Sequence, residues 1–172
     1  AVPADWRQVP FRYLFRESSE RITGEVVGPM LSVSGYRGVE VKRYDAAEKK
    51  RTDDDLVGYR IARPGQLVVN TMWLNYAGLG VSEHEGHFSP AYRSYSIEHR
   101  LEPRFAHHLL RSDLYVEHYR AHVQGIRPNS LQMPPDRFME MPVLVPPLEQ
   151  QRRIAAFLDE ESARLDSLLE ES

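Results

Sequence analysis

Cysteine is missing altogether from this sequence. Its absence removes disulfides, thiolate zinc sites, iron-sulfur clusters and cysteine nucleophiles together, and fits a reducing cytoplasm, the expected location. Long apolar runs are missing too. None approaches the ~18 residues that a membrane span needs. The opening AVPADWRQVP has neither the basic nor the apolar stretch of a secretory signal. A soluble protein with no membrane partner is expected. Nor does charge of one sign dominate, since 22 bases and 25 acids give a net charge of −3. Three of those bases and seven of the acids fall in residues 148–172, leaving 19 bases and 18 acids in residues 1–147. The tail is therefore acidic and the body near neutral, an asymmetry too small to identify a partner by charge alone.

Signatures of catalysis are equally scarce. Methyl transfer from S-adenosylmethionine to an exocyclic amine calls for a glycine-rich turn after a strand and a polar-Pro-Pro-aromatic loop. The nearest string, Met133-Pro134-Pro135-Asp136, lacks both flanking residues. A metal-dependent nuclease pairs Pro-Asp with an acid, a spacer and a lysine, because two carboxylates hold the metal while the lysine steadies hydroxide. Here Pro135-Asp136 is followed by Glu140, but position 142 is proline. No Gly-x-Ser-x-Gly elbow exposes a serine nucleophile. His118 and His122 lie four apart on an expected helix, and His84 and His87 three apart in a loop, so a zinc enzyme is one reading. Nothing in the sequence brings the two pairs together, and ordinary surface or core-edge histidines are the plainer reading. No catalytic residue, metal or cofactor is expected.

What is present suits one domain with an appended element: 172 residues, 41% hydrophobic and 27% charged. Trp6, Val9, Leu14 and Phe15 fall near helical spacing and Pro10 suits a first turn, which predicts a short helix over 6–17. Met30–Arg43 alternates β-branched with polar residues around Gly35 and Gly38 and predicts two strands with Tyr36 and Arg37 at the turn. Residues 45–55 have little to bury and read as a solvated loop. Strands are expected over 59–61, 66–71 and 91–97, with Gly78, Gly80 and Gly86 as punctuation. Pro103 opens a helical stretch whose stripe is Phe105, Leu109, Val116, Tyr119 and Val123, with Ser112-Asp113 placed to cap a second helix. A loop follows over 125–135, then a strand over 141–145. From Leu148 to the end there is neither glycine nor proline. Ile154, Leu158, Leu165 and Leu168 keep a three-and-four register there, so one long helix is expected, projecting ~38 Å and seeking a partner helix.

Nucleic-acid recognition asks for phosphate-binding cations and for polar or aromatic side chains on loops that reach base edges. Three loops supply these types. The first holds Ser34, Tyr36 and Arg37, with Lys42 and Arg43 beyond; the second is Lys49-Lys50-Arg51; the third, NTMWLNY, offers Asn70, Trp73, Asn75 and Tyr76. Asparagine can pair bidentately with adenine. Against this, Trp73 and Leu74 suit a core, the asparagines suit turns, and a lysine run suits solvent.

Several segments resemble one family. Met141–Leu169, MPVLVPPLEQQRRIAAFLDEESARLDSLL, is similar to the junction in specificity subunits of type I restriction-modification systems, where a strand ends in Pro-Pro-Leu and enters a helix beginning with Glu and Gln. WRQVPFRYLFRE (6–17), LSVSGYRGV (31–39), PGQLVVN (64–70), Ser89-Pro90-Ala91-Tyr92 and residues 125–138 resemble the target recognition domain of the same family, in the right order. The resemblance implies an α+β recognition domain with a twisted sheet and flanking helices over 1–146. A coiled-coil spacer helix over 147–172 would follow. It implies a non-catalytic chain that reads one half of a bipartite double-stranded DNA site. Methyltransferase subunits, and through them restriction subunits, would be its partners, with Ile154, Leu158, Leu165 and Leu168 pairing to a second recognition half or a second copy. Arg127 and Asn129 join the candidate DNA contacts on this ground. The expectation is an excised or a natural half-subunit, the missing initiator methionine and uncapped end favouring excision. The rival is a DNA-independent interaction module that dimerises through the same helix.

Overall fold

The computed structural model describes residues 2–125 and 131–172. β1 (Arg7–Pro10) leads into one helical turn, α1 (Phe11–Leu14), and then β2 (Phe15–Glu17). This corrects the helix expected over 6–17. β1 pairs antiparallel with β10 (Pro142–Val145), Arg7 opposite Val145 and Pro10 opposite Pro142. A partner more than 130 residues away thus overrides a weak local period. Only α1 keeps helical geometry, and it places Phe11 against Phe15 at 4.1 Å and Phe138 at 4.4 Å, in the middle of the main core.

The central sheet has four antiparallel strands in the order β2, β9 (Arg93–Ile97), β6 (Leu67–Val69) and β7 (Leu79–Val81). Beside it stand the hairpin of β3 (Leu31–Ser34) and β4 (Gly38–Val41), and the pair of β5 (Arg60–Ala62) and β8 (Gly86–Phe88). The hairpin falls where alternation placed it. β7 and β8 carry no legible strand pattern, because each is three residues long and contains glycine. Those glycines permit close crossings. β4 crosses β7 at Gly38 and Gly80, where a Cβ on Gly80 would stand 3.0 Å from the Gly38 Cα.

Two helices, α2 (Pro103–Leu110) and α3 (Asp113–His122), cover the sheet and bury Phe105, Leu110, Tyr115, Val116 and Tyr119. Glu102 caps α2 by accepting from the Phe105 amide at 3.0 Å. Ser112 precedes α3 as expected, but its hydroxyl donates to the Leu109 carbonyl at 2.6 Å instead of capping. α4 (Pro135–Glu140) was not expected, since six residues are too few to show a period.

α5 (Leu148–Glu171) is the long helix, ~36 Å from end to end. Its first turns are not free. Gln151, fully buried, accepts from the Glu102 amide at 2.7 Å and donates to the carbonyls of Arg100 and Pro146 at 2.8 and 2.7 Å. Gln150 accepts from the Trp6 indole at 3.0 Å, and Ala155 is buried in the main core. Asp159 then takes Arg104 at 2.9 Å and His108 at 2.7 Å from α2. The expectation of a helix projecting whole from the body is corrected to one anchored along its first half. Beyond it Leu165, Leu168 and Leu169 are exposed. Among the described residues, no helix is long and apolar enough to cross a membrane.

His107 sits beneath the crossing of β4 and β7 and accepts from the Val81 amide through Nδ1 at 3.0 Å. Burial, with Arg104 and Arg111 nearby, pushes its pKa from 6.5 down to about 3. Between those values the unfolded chain binds the proton and the folded chain does not, so stability is intact above pH 6.5 and declines as pH falls. From pH 6.5 to 4.5 the free energy of unfolding should drop with a slope approaching ~1.4 kcal/mol per pH unit. Urea titrations of His107→Asn should show a shallower slope over that interval; an equal slope would place the proton elsewhere.

Candidate nucleic-acid interface

Strand β3 ends at Ser34 and β4 begins opposite it at Gly38, leaving Gly35, Tyr36 and Arg37 as the hairpin tip. The Ser34 hydroxyl accepts from the Arg37 amide at 3.0 Å and closes the turn. The loop between β6 and β7 is built differently. Asn70 closes an Asx turn, its carboxamide oxygen accepting from the Met72 amide at 3.2 Å, and a 3-10 turn follows over Leu74–Tyr76. Leu74 enters the core, whereas Trp73 and Tyr76 stay 40% and 45% exposed with their rings edge to face at 5.9 Å.

The two loops meet. A Cβ on Gly35 would lie 2.2 Å from the Tyr76 carbonyl oxygen, so only glycine allows the tip to seat against the aromatic loop. Arg111, at the end of α2, holds both from below. Its guanidinium donates to the carbonyls of Gly35 and Tyr36 in the tip at 3.0 and 2.9 Å. It also donates to those of Ala77 and Leu79 beside the aromatic loop, both at 2.8 Å, with Ser34 at 3.4 Å. Burial lowers the Arg111 pKa, yet a guanidinium stays charged there.

The tip carries Tyr36, 64% exposed, with the Arg37 guanidinium 5.4 Å from its ring and the Tyr36 hydroxyl 3.5 Å from Asp166 of α5, while the loop seated against the tip carries Trp73 and Tyr76. Arg120 of α3 stands behind, donating to the Asn75 carbonyl at 3.2 Å. Arg37 also lies near Glu40 at 3.9 Å and Asp166 of α5 at 3.8 Å. Such exposed pairs are worth little and exchange readily.

Of the sequence candidates, Ser34, Tyr36, Arg37, Trp73 and Tyr76 are thus brought together. Asn70 and Asn75 share the loop but are only 4% and 8% exposed, and Asn75 Oδ1 has no hydrogen-bond partner among the described residues. Both asparagines are turned away from the face that the aromatic rings present. Lys42, Arg43, Lys49, Lys50 and Arg51 are exposed and gather at the opposite end of the hairpin, where the Lys42 amide donates to the Met30 carbonyl. Arg127 and Asn129 lie outside the described residues. On α5, Ile154 and Leu158 are half-buried against the body, while Leu165 and Leu168 are exposed.

His118 and His122 have ring centroids 4.3 Å apart, and the His122 Nδ1 lies 2.8 Å from the His118 carbonyl. His87 is buried with its Nδ1 on the Val27 carbonyl at 2.9 Å. Among the described residues, no three histidine, aspartate or glutamate side chains group to hold a metal. Sequence reasoning passed over Arg111 and Gln151, although Arg104, His107, His108 and Arg111 form a polar stripe at helical spacing on an otherwise apolar helix.

No family model matches the sequence, and no curated protein matches it. Solved structures do. A chain of a type I restriction-modification system, from a study of its assembly and conformational transition, matches 98% of this chain with 41% of its own, at 17% identity and a TM-score of 0.59. The HsdS subunit of Thermoanaerobacter tengcongensis matches 99% with 40% of its own, at 17% and 0.58. The type I S subunit of M. genitalium matches 96% with 41% of its own, at 14% and 0.63. The shared fold extends over nearly the whole chain, which spans about two-fifths of the length of those proteins. The α+β fold with a long C-terminal helix, implied by the sequence resemblance, is therefore present.

Replacing Arg111 by methionine should strand several carbonyls beneath the two loops and cost about 2–4 kcal/mol. A urea midpoint lowered at constant m-value, with faster amide exchange in 34–37 and 70–78, is the expected result. A change under 0.5 kcal/mol, within the ~1 kcal/mol scale of one ordinary hydrogen bond, would contradict the clamp.

Proposed function

We propose that this chain is a sequence-reading half of a type I specificity subunit: it binds one half-site of double-stranded DNA and performs no chemistry. The observation that carries the reading is that the tip bearing Tyr36 and Arg37 seats against the loop bearing Trp73 and Tyr76 over one shared support, with all four side chains exposed. Aromatic faces and a guanidinium are suited to base and phosphate contact, and loops held from beneath keep their register on a duplex. The fold shared with type I subunits along nearly the whole chain supports the same reading. In it residues 1–146 recognise DNA and 147–172 form the spacer. Asn70 and Asn75 shape the loop, and the exposed aromatic residues face the bases.

The far half of α5 serves assembly. Leu165, Leu168 and Leu169 are large, apolar and exposed, a combination expected of an interface, and Phe157 is exposed before them. The helix carries seven acids against three bases from residue 148 onward, which discourages contact with phosphate and leaves polypeptide as its partner. A second recognition half or a second copy would pair there, and methyltransferase subunits would dock through the assembled helices.

Selection from random duplexes, alone and with a methyltransferase subunit, should enrich a short motif. Affinity should fall steeply with salt. Trp73→Ala with Tyr76→Ala should flatten the motif by about 1–3 kcal/mol of discrimination, with non-specific affinity nearly kept. A folded double variant that keeps the motif would move base reading elsewhere. Binding that is absent, or indifferent to salt, would favour the rival interaction module. Separately, Leu165→Lys with Leu168→Lys should abolish self-association in sedimentation while leaving the circular dichroism of the body unchanged; a persisting dimer would contradict the spacer role.

A further inference from the structure

The basic residues that do not join the tip form a site of their own. Lys42 follows β4, five residues after Arg37, so a nearly extended strand separates the two ends of the hairpin by ~17 Å. The Lys42 and Lys50 ammonium groups lie 5.1 and 5.4 Å from the centre of the Tyr44 ring, and the Arg51 guanidinium 5.8 Å from that of Tyr59. With Lys49 they line an open cleft of about 400 Å³.

We propose that this cleft is a backbone-phosphate contact on the same duplex, distinct from the base-facing tip; the inference rests on the recognition reading above. Its chemistry separates the two places. Cations outnumber aromatic rings in the lining, where Lys42, Lys49, Lys50 and Arg51 surround Tyr44 and Met30 is the one aliphatic side chain. Ammonium groups are point charges that suit phosphate oxygens and read no base edge. The acids nearby oppose this less than their number suggests. Asp55 accepts from the amide and hydroxyl of Thr52 at 3.0 and 2.9 Å, and its carboxylate is committed to that turn. Glu48, 3.8 Å from Lys42, is the acid that a phosphate would displace. A contact made by ammonium groups to backbone phosphate, ~17 Å from the tip, adds affinity and orientation without sequence.

The test uses the whole chain and a pool of random-sequence duplexes of ~30 base pairs, with affinity followed by anisotropy as salt is raised. Each phosphate contact contributes ~0.9 to the slope of log affinity against log salt. Lys42→Gln with Lys50→Gln should lower that slope by ~1.8, so that a fourfold rise in salt costs the wild type ~12-fold more affinity than the variant. Sequence ranking should not change. Arg51→Gln, a milder variant, should lower the slope by ~0.9, and Glu48→Gln should raise affinity. An unchanged slope in both lysine and arginine variants, or a shifted sequence ranking, overturns this inference alone. Wild-type binding that is flat in salt overturns the recognition reading, and the phosphate cleft with it.

Discussion

The arrangement of the exposed surface depends on one guanidinium. Arg111 lies at the end of α2, so its position is set by a helix whose own face, Phe105, Ala106 and Leu110, is locked into the main core. From there it reaches carbonyls of two segments far apart in sequence, the tip at 34–36 and the loop flank at 77–79. Loops of this kind normally satisfy their carbonyls with water and move. Here they are held by a charged donor in a fixed planar fork, which is the reason arginine and not lysine suits the position. Gly35 and Gly38 complete the device, because any side chain at Gly35 would displace the Tyr76 carbonyl and any at Gly38 would meet the His107 ring.

A second buried polar group does for the helix what Arg111 does for the loops. Gln151 uses its carboxamide on three backbone groups from two neighbouring segments, the turn before α2 and the turn before α5. The start of α5 is thereby fixed to the start of α2, and Asp159 repeats the attachment two turns later with Arg104 and His108. Partners arranged in this way leave no donor stranded, so the contacts specify an angle at little energetic cost. In the proposed function that angle matters more than length alone, because it would decide where a second recognition half lies.

Legibility followed the range of the interactions. The hairpin over 31–41, the helices opened by Pro103 and Ser112, the strand after Met141 and the helix from Leu148 were all readable, since each carries its own period or cap. Residues 6–17 were not, because β1 is made by β10 and only the folded chain brings them side by side. β7 and β8 failed for a related reason. Their glycines break the strand pattern locally and earn their place only where β4 crosses Gly80 and where Gly86 packs on the Pro29 carbonyl. At the candidate site loop sequence could not tell that Trp73 and Tyr76 stay exposed while Asn70 and Asn75 are buried. That division is set by Leu74 anchoring the 3-10 turn and by the Asx turn at Asn70.

A chain with net charge of −3 is an unpromising DNA binder only if its charges are averaged. The acids of α5 lie along a helix that passes the tip, with Asp166 near both Tyr36 and Arg37. A duplex lying along α5 would meet that acidic face, so in the proposed function the helix acts as a fence that turns phosphate toward the open side of the tip. Asp166 holds Arg37 only through an exposed pair at 3.8 Å, weak enough for a phosphate oxygen to replace it. In the proposed function phosphate would therefore take the place of Asp166 beside Arg37. Because Asp166 belongs to α5, engagement of the tip alters a contact of the very helix whose exposed leucines would meet the other subunits. In the proposed function recognition and assembly would thus share one side chain, with no movement of the core needed to connect them.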